Sequence, residues 1–123
     1  MKDKLFKING KKIFDKRGYF LNLFRQNDNL YSEFWGNRNI EQINLSESLK
    51  VGTIRGLHFQ KRPYLDAKII RCLEGKIWDV AVDLRKESHD YKKWQSIELD
   101  AKKANAFFIP EGYAHGFQVL EPN

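Results

Sequence analysis

Two histidines carry the first chemical signal. His58 stands in Arg55-Gly56-Leu57-His58-Phe59-Gln60, and His115 in Ile109-Pro110-Glu111-Gly112-Tyr113-Ala114-His115-Gly116-Phe117, each beside glycine and aromatic residues in a stretch that reads as β-strand. Between them runs Trp78-Asp79-Val80-Ala81-Val82-Asp83-Leu84-Arg85. Strand alternation puts Asp79, Ala81 and Asp83 on one face of it and Trp78, Val80 and Val82 on the other. Imidazole titrates near neutral pH and can take a proton from carbon or oxygen. The guanidinium fork matches phosphate and carboxylate oxygens. Such groups on adjacent strands of a rigid sheet fit proton transfer on an anionic substrate. The plainer alternative is that they are ordinary residues of a β-barrel.

Each residue has both readings. If residues 53–60 are extended, positions 54, 56, 58 and 60 share one face and 55, 57 and 59 the other, so His58 points away from Leu57 and Phe59. Gly56 then leaves room for a ligand at the backbone. Local pattern by itself favours an ordinary half-buried histidine at position 58. Asp79, flanked by Trp78 and Val80, needs a partner, since carboxylates are rarely buried without one; a cation or a histidine would serve. A structural ion pair and a functional role fit it equally. Asp83-Leu84-Arg85 reads as a strand end that forms a turn. Lys68 shares a strand face with Ile70 and Cys72, and its stem either reaches into a cavity or snorkels at an edge. His58, His115 and a carboxylate could in principle hold a metal. With three histidines in the chain, and one of them (His89) in a polar turn, that reading is thin.

The elements that must position these groups are mostly short strands. Extended pieces are predicted at residues 5–8 and 12–14 around Gly10, then at 19–25 after the Asp15-Lys16-Arg17-Gly18 turn. Asp28 caps a short helix running through Phe34 and Trp35, with Gly36-Asn37 ending it. Residues 40–46 alternate as a strand. Residues 69–73 and 77–84 are predicted strands joined at Glu74-Gly75, the strongest hairpin signal in the chain. Residues 94–99, 106–109 and 116–120 complete the set, the last two separated by Pro110-Glu111-Gly112. Many short strands broken by Gly and Pro make an all-β sandwich or barrel with little helix.

Composition narrows the class. The 123 residues suffice for one domain with a real core, 41% are hydrophobic and 31% charged. Apolar runs are too short to span a bilayer, and Met1-Lys2-Asp3-Lys4 leads into no signal peptide. Cys72 is the single cysteine, so no internal disulfide forms and the cytoplasm is the expected address. The net charge is +6, but Lys and Arg are scattered, with no long basic run. That excludes a nucleic-acid signature and leaves a minority of cations free to attract a phosphorylated small molecule.

The ordered strings 52–60, 68–71, 75–85 and 109–117, with Asp15-Lys16-Arg17-Gly18-Tyr19-Phe20 and Gln42-Ile43-Asn44-Leu45-Ser46-Glu47-Ser48 upstream, closely resemble the dTDP-4-dehydrorhamnose 3,5-epimerase family. The resemblance implies an antiparallel, cupin-like jelly-roll homodimer. It implies action on a dTDP-4-keto-6-deoxy sugar in rhamnose-type biosynthesis, with no metal, cofactor, nucleic acid or membrane. In that reading His58 is the base and Lys68 stabilises the enolate. Arg55, with Arg17 or Arg25, holds the diphosphate, and Phe20 stacks on thymine. Gln42, Ser46, Gln60, Asp79 and His115 contact nucleotide or sugar. N-terminal residues serve the neighbouring subunit's site.

The chain also departs from the family. It ends at Glu121-Pro122-Asn123, ahead of the family's tyrosine acid and of the aspartate that pairs with the catalytic histidine. Asn22 replaces a common Glu, and residues 61–67 are atypical. Two readings follow: an epimerase or one-carbon relative whose proton exchange outruns inversion, or a catalytically incomplete module that binds a nucleotide sugar or only dimerises.

Overall fold

The computed structural model describes residues 3–122. Its strands are β1 (Phe6–Ile8), β2 (Ile13–Asp15), β3 (Gly18–Phe20), β4 (Ile54–His58), β5 (Lys68–Arg71), β6 (Lys76–Asp83), β7 (Trp94–Asp100), β8 (Ala106–Ile109) and β9 (Tyr113–Glu121), with one helix, α1 (Asn29–Trp35). All pairings are antiparallel. A three-stranded sheet has the order β1-β8-β5, a four-stranded sheet the order β4-β9-β6-β7, and β2-β3 stand as a separate pair. The two larger sheets pack as a cupin-like jelly roll, the fold class expected from the sequence.

Alternation along β8 explains the layering. Phe107 and Ile109 point into the space between the sheets, where Ala81 and Leu99 of the larger sheet and Ile70 of β5 meet them. Ala106 and Phe108 point the other way, onto α1. Both faces of β8 are covered, so all of its residues are buried. The helix is short and needs its ends held. The Asp28 side chain accepts from the Leu30 N–H as N-cap, and Gly36 closes the other end at φ 65°. Tyr31, Phe34 and Trp35, at i, i+3 and i+4, form its buried stripe. The Phe34 ring lies 4.9 Å from those of both Phe6 and Phe108. Truncating Phe108 would cost about 3–5 kcal/mol, the usual range for a buried aromatic.

Three expectations about elements are corrected. Glu74-Gly75 does turn the chain, but it joins no hairpin: β5 belongs to the smaller sheet and β6 to the larger. Turn chemistry reports the change of direction, not whether the next strand pairs or crosses to the facing sheet. Residues 40–46 form no strand, because no neighbour offers them a ladder; Ile43 and Leu45 are more than four-fifths exposed. The strand predicted at residues 19–25 stops at Phe20, where the chain leaves β2 and runs along α1.

Candidate active site

The larger sheet turns Asp79, Ala81 and Asp83 of β6 inward, as the alternation predicts, and all three are buried. Ladder partners share a face, so His115 beside Ala81 and Phe117 beside Asp79 point inward as well. His115 Nε2 and Asp79 Oδ2 lie 2.8 Å apart, and with the carboxylate ionised the imidazole N–H is the donor. This is the partner the sequence demanded for Asp79. Burial pushes the Asp79 carboxyl above its ordinary range. The hydrogen bond and charge of His115 and the charge of Lys68 pull it part of the way back. Asp79 Oδ1 is buried with no hydrogen-bond partner among the described residues. A group that donates there would relieve an unsatisfied acceptor.

His58 reaches the same face by a route the alternation did not show. The β4–β9 ladder pairs Arg55 with Phe117 but His58 with His115, a register shift within β4. One residue is thereby added between Arg55 and His58, as in a β-bulge. Arg55 and His58 then share the inner face, where simple alternation assigned them to opposite ones. Gly56 is central to this. Its φ is 104°, and a Cβ on it would lie 2.7 Å from the His115 carbonyl oxygen. The space that Gly56 leaves is filled by the backbone of β9, not kept open for a ligand. Gly116 answers it: a Cβ there would lie 2.7 Å from the Arg55 carbonyl oxygen.

Lys68 comes from the opposite sheet. It pairs with Ile109 and shares its face with Ile70, whose side chain packs between the sheets, and its charge acts on Asp79. His58, His115, Asp79 and Lys68 therefore address one region from two sheets. Among the described residues His58 makes no side-chain hydrogen bond. No group of three His, Cys, Asp or Glu side chains among them has the arrangement of a metal site.

The remaining sequence candidates are exposed side chains. Arg17 and Phe20 sit on the β2–β3 pair; Arg17 is 90% exposed and turns its fork back onto Asp15 at 2.6 Å. Arg25, Gln42, Ser46 and Gln60 are exposed. Arg55 donates to Ser48 Oγ at 2.9 Å and to the Glu47 carbonyl at 2.6 Å, which ties down the end of the 40–49 segment. Sequence reasoning missed two cation networks. Arg85 forks onto buried Asp83 and donates to Tyr113 Oη, while Ser88 adds a 2.6 Å bond to the same carboxylate. Burial raises Asp83, but these donors outweigh it and hold the carboxyl below its ordinary value. Arg71 joins four acceptor contacts near Leu23 and Ala104. The i, i+2 spacing of Asp83 and Arg85, where β6 ends, was the available signal for the first.

The profile of the dTDP-4-dehydrorhamnose 3,5-epimerase family matches residues 3–123. The chain belongs to this family. It is 46% identical over 112 residues to the dTDP-4-dehydrorhamnose 3,5-epimerase of Shigella flexneri, covering 89% of this chain and 60% of that protein. The corresponding protein of Sinorhizobium fredii is 40% identical over 119 residues, covering 93% of this chain and 57% of that one. The Bacillus anthracis epimerase, solved with TDP and PPi bound, superposes with a TM-score of 0.89 at 36% identity, covering 96% of this chain and 66% of that one. The Legionella pneumophila enzyme, solved with dTDP-4-keto-L-rhamnose, gives 0.87 at 36% identity, covering 96% of this chain and 61% of that one. The chain thus spans about three fifths of the length of these relatives.

Proposed function

We propose that this chain binds a dTDP-4-keto-6-deoxy sugar between its two sheets and exchanges the proton on the carbon beside the ketone, as in rhamnose-type deoxysugar biosynthesis. The observation that carries this reading is the convergence of His58, His115–Asp79 and Lys68 on one region. His58 takes the proton as the C–H bond breaks, and the electron pair moves onto the ketone oxygen as an enolate. The Lys68 ammonium faces that oxygen and stabilises its charge. Return of a proton from solvent water, which is left as hydroxide and takes up the proton held by His58, to the opposite face of the enolate inverts the carbon. Arg55, on the same face as His58, holds the diphosphate, and Gln60, His115 and Asp79 line the sugar end. No cofactor or metal enters these steps.

Arg17, Phe20, Arg25, Gln42 and Ser46 act in this reading on the nucleotide bound by a second copy. The β2–β3 pair supports a homodimer. Phe14, Tyr19 and Phe20 are each more than half exposed, and an isolated hairpin is only marginally stable. A further apolar face lies outside the larger sheet: a groove of about 340 Å³ lined by Ile54, Leu57, Trp78, Val80, Val82 and Trp94. A second copy covers these surfaces. No helix of the described residues is long and apolar enough to cross a membrane. A cytoplasmic address fits a sugar-nucleotide substrate.

The test is solvent-deuterium wash-in at the carbons flanking the ketone, followed by NMR in deuterated buffer. Exchange that disappears in His58→Ala supports the reading; exchange that survives it removes His58 as the base. A second reading, a module that binds the nucleotide sugar without efficient chemistry, draws on His58 having no side-chain hydrogen bond among the described residues. Calorimetric binding of dTDP with no measurable wash-in would favour it.

A further inference from the structure

The β2–β3 pair projects from the body on two chain segments, and both are held at one point. On the incoming side, Gly10 packs against the Ala104 carbonyl so closely that any Cβ at position 10 would overlap it. On the outgoing side, the Leu23 carbonyl accepts from Tyr31 Oη at 3.0 Å and from Arg71 Nη2 and Nε at 3.1 and 3.3 Å. The Arg71 Nη1 donates to the Ala104 carbonyl at 3.0 Å, and Nη2 also reaches Tyr31 Oη at 3.2 Å. One guanidinium therefore bridges the carbonyl under the first leg and the carbonyl of the second. Phe24, next along, wedges its ring against Tyr31 and Trp35 at 5.1 and 5.6 Å. Among the described residues the arm forms a ladder with no other strand, so within one chain its direction is set by these two feet.

We propose that Arg71 is a positioning residue. It fixes the direction in which the β2–β3 arm leaves the body and, through the arm, the placement of Arg17 and Phe20 on the nucleotide of a second copy; the second half rests on the reading above. The fork is what the position needs. A guanidinium spans two carbonyls and a hydroxyl in one plane, whereas an ammonium is a point charge that serves them poorly. Only glycine fits at position 10, because the first leg is flush with the carbonyl that Arg71 grips.

The test uses the full chain in a Cys72→Ser background, spin-labelled at Phe14→Cys on the arm and Lys86→Cys on the body, and diluted with unlabelled chain. Pulsed electron resonance should give one narrow distance distribution. Arg71→Lys and Gly10→Ala should broaden or shift it, and Tyr31→Phe, a milder variant that removes the two bonds of one hydroxyl and leaves three of the guanidinium's contacts, should do so less. In the same variants without labels, the Kd for dTDP and the KM for wash-in should rise about tenfold while kcat stays within about twofold. A loss of fold would instead lower kcat. An unchanged distance distribution in both Arg71→Lys and Gly10→Ala overturns the role of Arg71, whether or not the chain binds a nucleotide. A broadened distribution with unchanged dTDP affinity overturns the arm's place at the nucleotide. Failure of the parent chain to bind dTDP at all overturns the functional reading, and the distance measurement still decides the role of Arg71.

Discussion

Each face of the β4-β9-β6-β7 sheet carries, among residues of the usual kind, a group that a soluble sandwich ordinarily places on the other. Inside lie Asp79, Asp83 and His115, all buried. Outside lie Trp78, Trp94 and Ile54, exposed by 38%, 59% and 68%. Burying ionisable groups costs free energy unless each is paired, and exposing aromatics forfeits hydrophobic stabilisation. The inner polarity is kept satisfied by specific partners, His115 for Asp79 and Arg85 with Ser88 for Asp83, with a single oxygen left over among the described residues. The outer face has no such internal compensation, and a Trp78–Trp94 edge-on pair with centroids 6.3 Å apart is left facing outward. In the function proposed above, the inner face serves chemistry and the outer one contact.

Changes on the inner face should be felt in activity first. His58→Ala should reduce deuterium wash-in by about 10²–10⁴-fold, the range for loss of a positioned base, with little change in thermal stability because His58 is exposed. Asp83→Ala should lower stability at neutral pH by about 2–3 kcal/mol, since it strips the charged acceptor from Arg85 and Ser88. The sign with pH follows from the depressed carboxyl. A lowered folded pKa contributes stability above the unfolded value, near 3.8, and that contribution is lost as pH falls through the folded value. Denaturant melts of parent and Asp83→Ala should therefore converge in strong acid. Equal separation at every pH would mean that Asp83 stabilises by packing, not by charge.

Changes on the outer face should leave the fold intact and alter association. Trp94→Glu should weaken self-association by about 30-fold, as loss of one central aromatic anchor does, with an unchanged circular dichroism spectrum. Sedimentation that shows no shift would free this face from the interface. The smallest effect is expected at the rim, where Lys76 Nζ lies 3.6–4.0 Å from Glu98, Asp100 and Glu121. Lys76→Met should change stability by less than about 1 kcal/mol, and less still in high salt.

What was legible in the sequence divides along the same line. The alternation of β6 announced that Asp79 points inward and needs a partner, and Asp28 with Gly36 marked both ends of α1. These signals are local, carried by a few adjacent side chains. The shift between Arg55 and His58 was not legible, because it depends on the backbone of β9 pressing against Gly56. Nor was the fate of residues 40–46, whose alternation lacks a neighbouring strand. The turn at Glu74-Gly75 was read correctly as chemistry and wrongly as topology, since a tight turn is compatible with both a hairpin and a change of sheet. The Arg71 contacts join residues 23, 31 and 104, which no local pattern brings together.

The smaller sheet also sets an order of events during synthesis. Its first strand pairs Phe6 with Phe108 and Ile8 with Ala106, so β1 has no ladder until about a hundred later residues have been added. At ribosomal speeds of about 5–20 residues per second, that is roughly 5–20 s in which the N-terminal strand waits unpaired. Its apolar residues, and those of the arm that follows, are presented to the cell before the strand that buries β1 exists. Holding that segment back from other nascent chains is a task for the translation and chaperone machinery, imposed by where β8 falls in the chain.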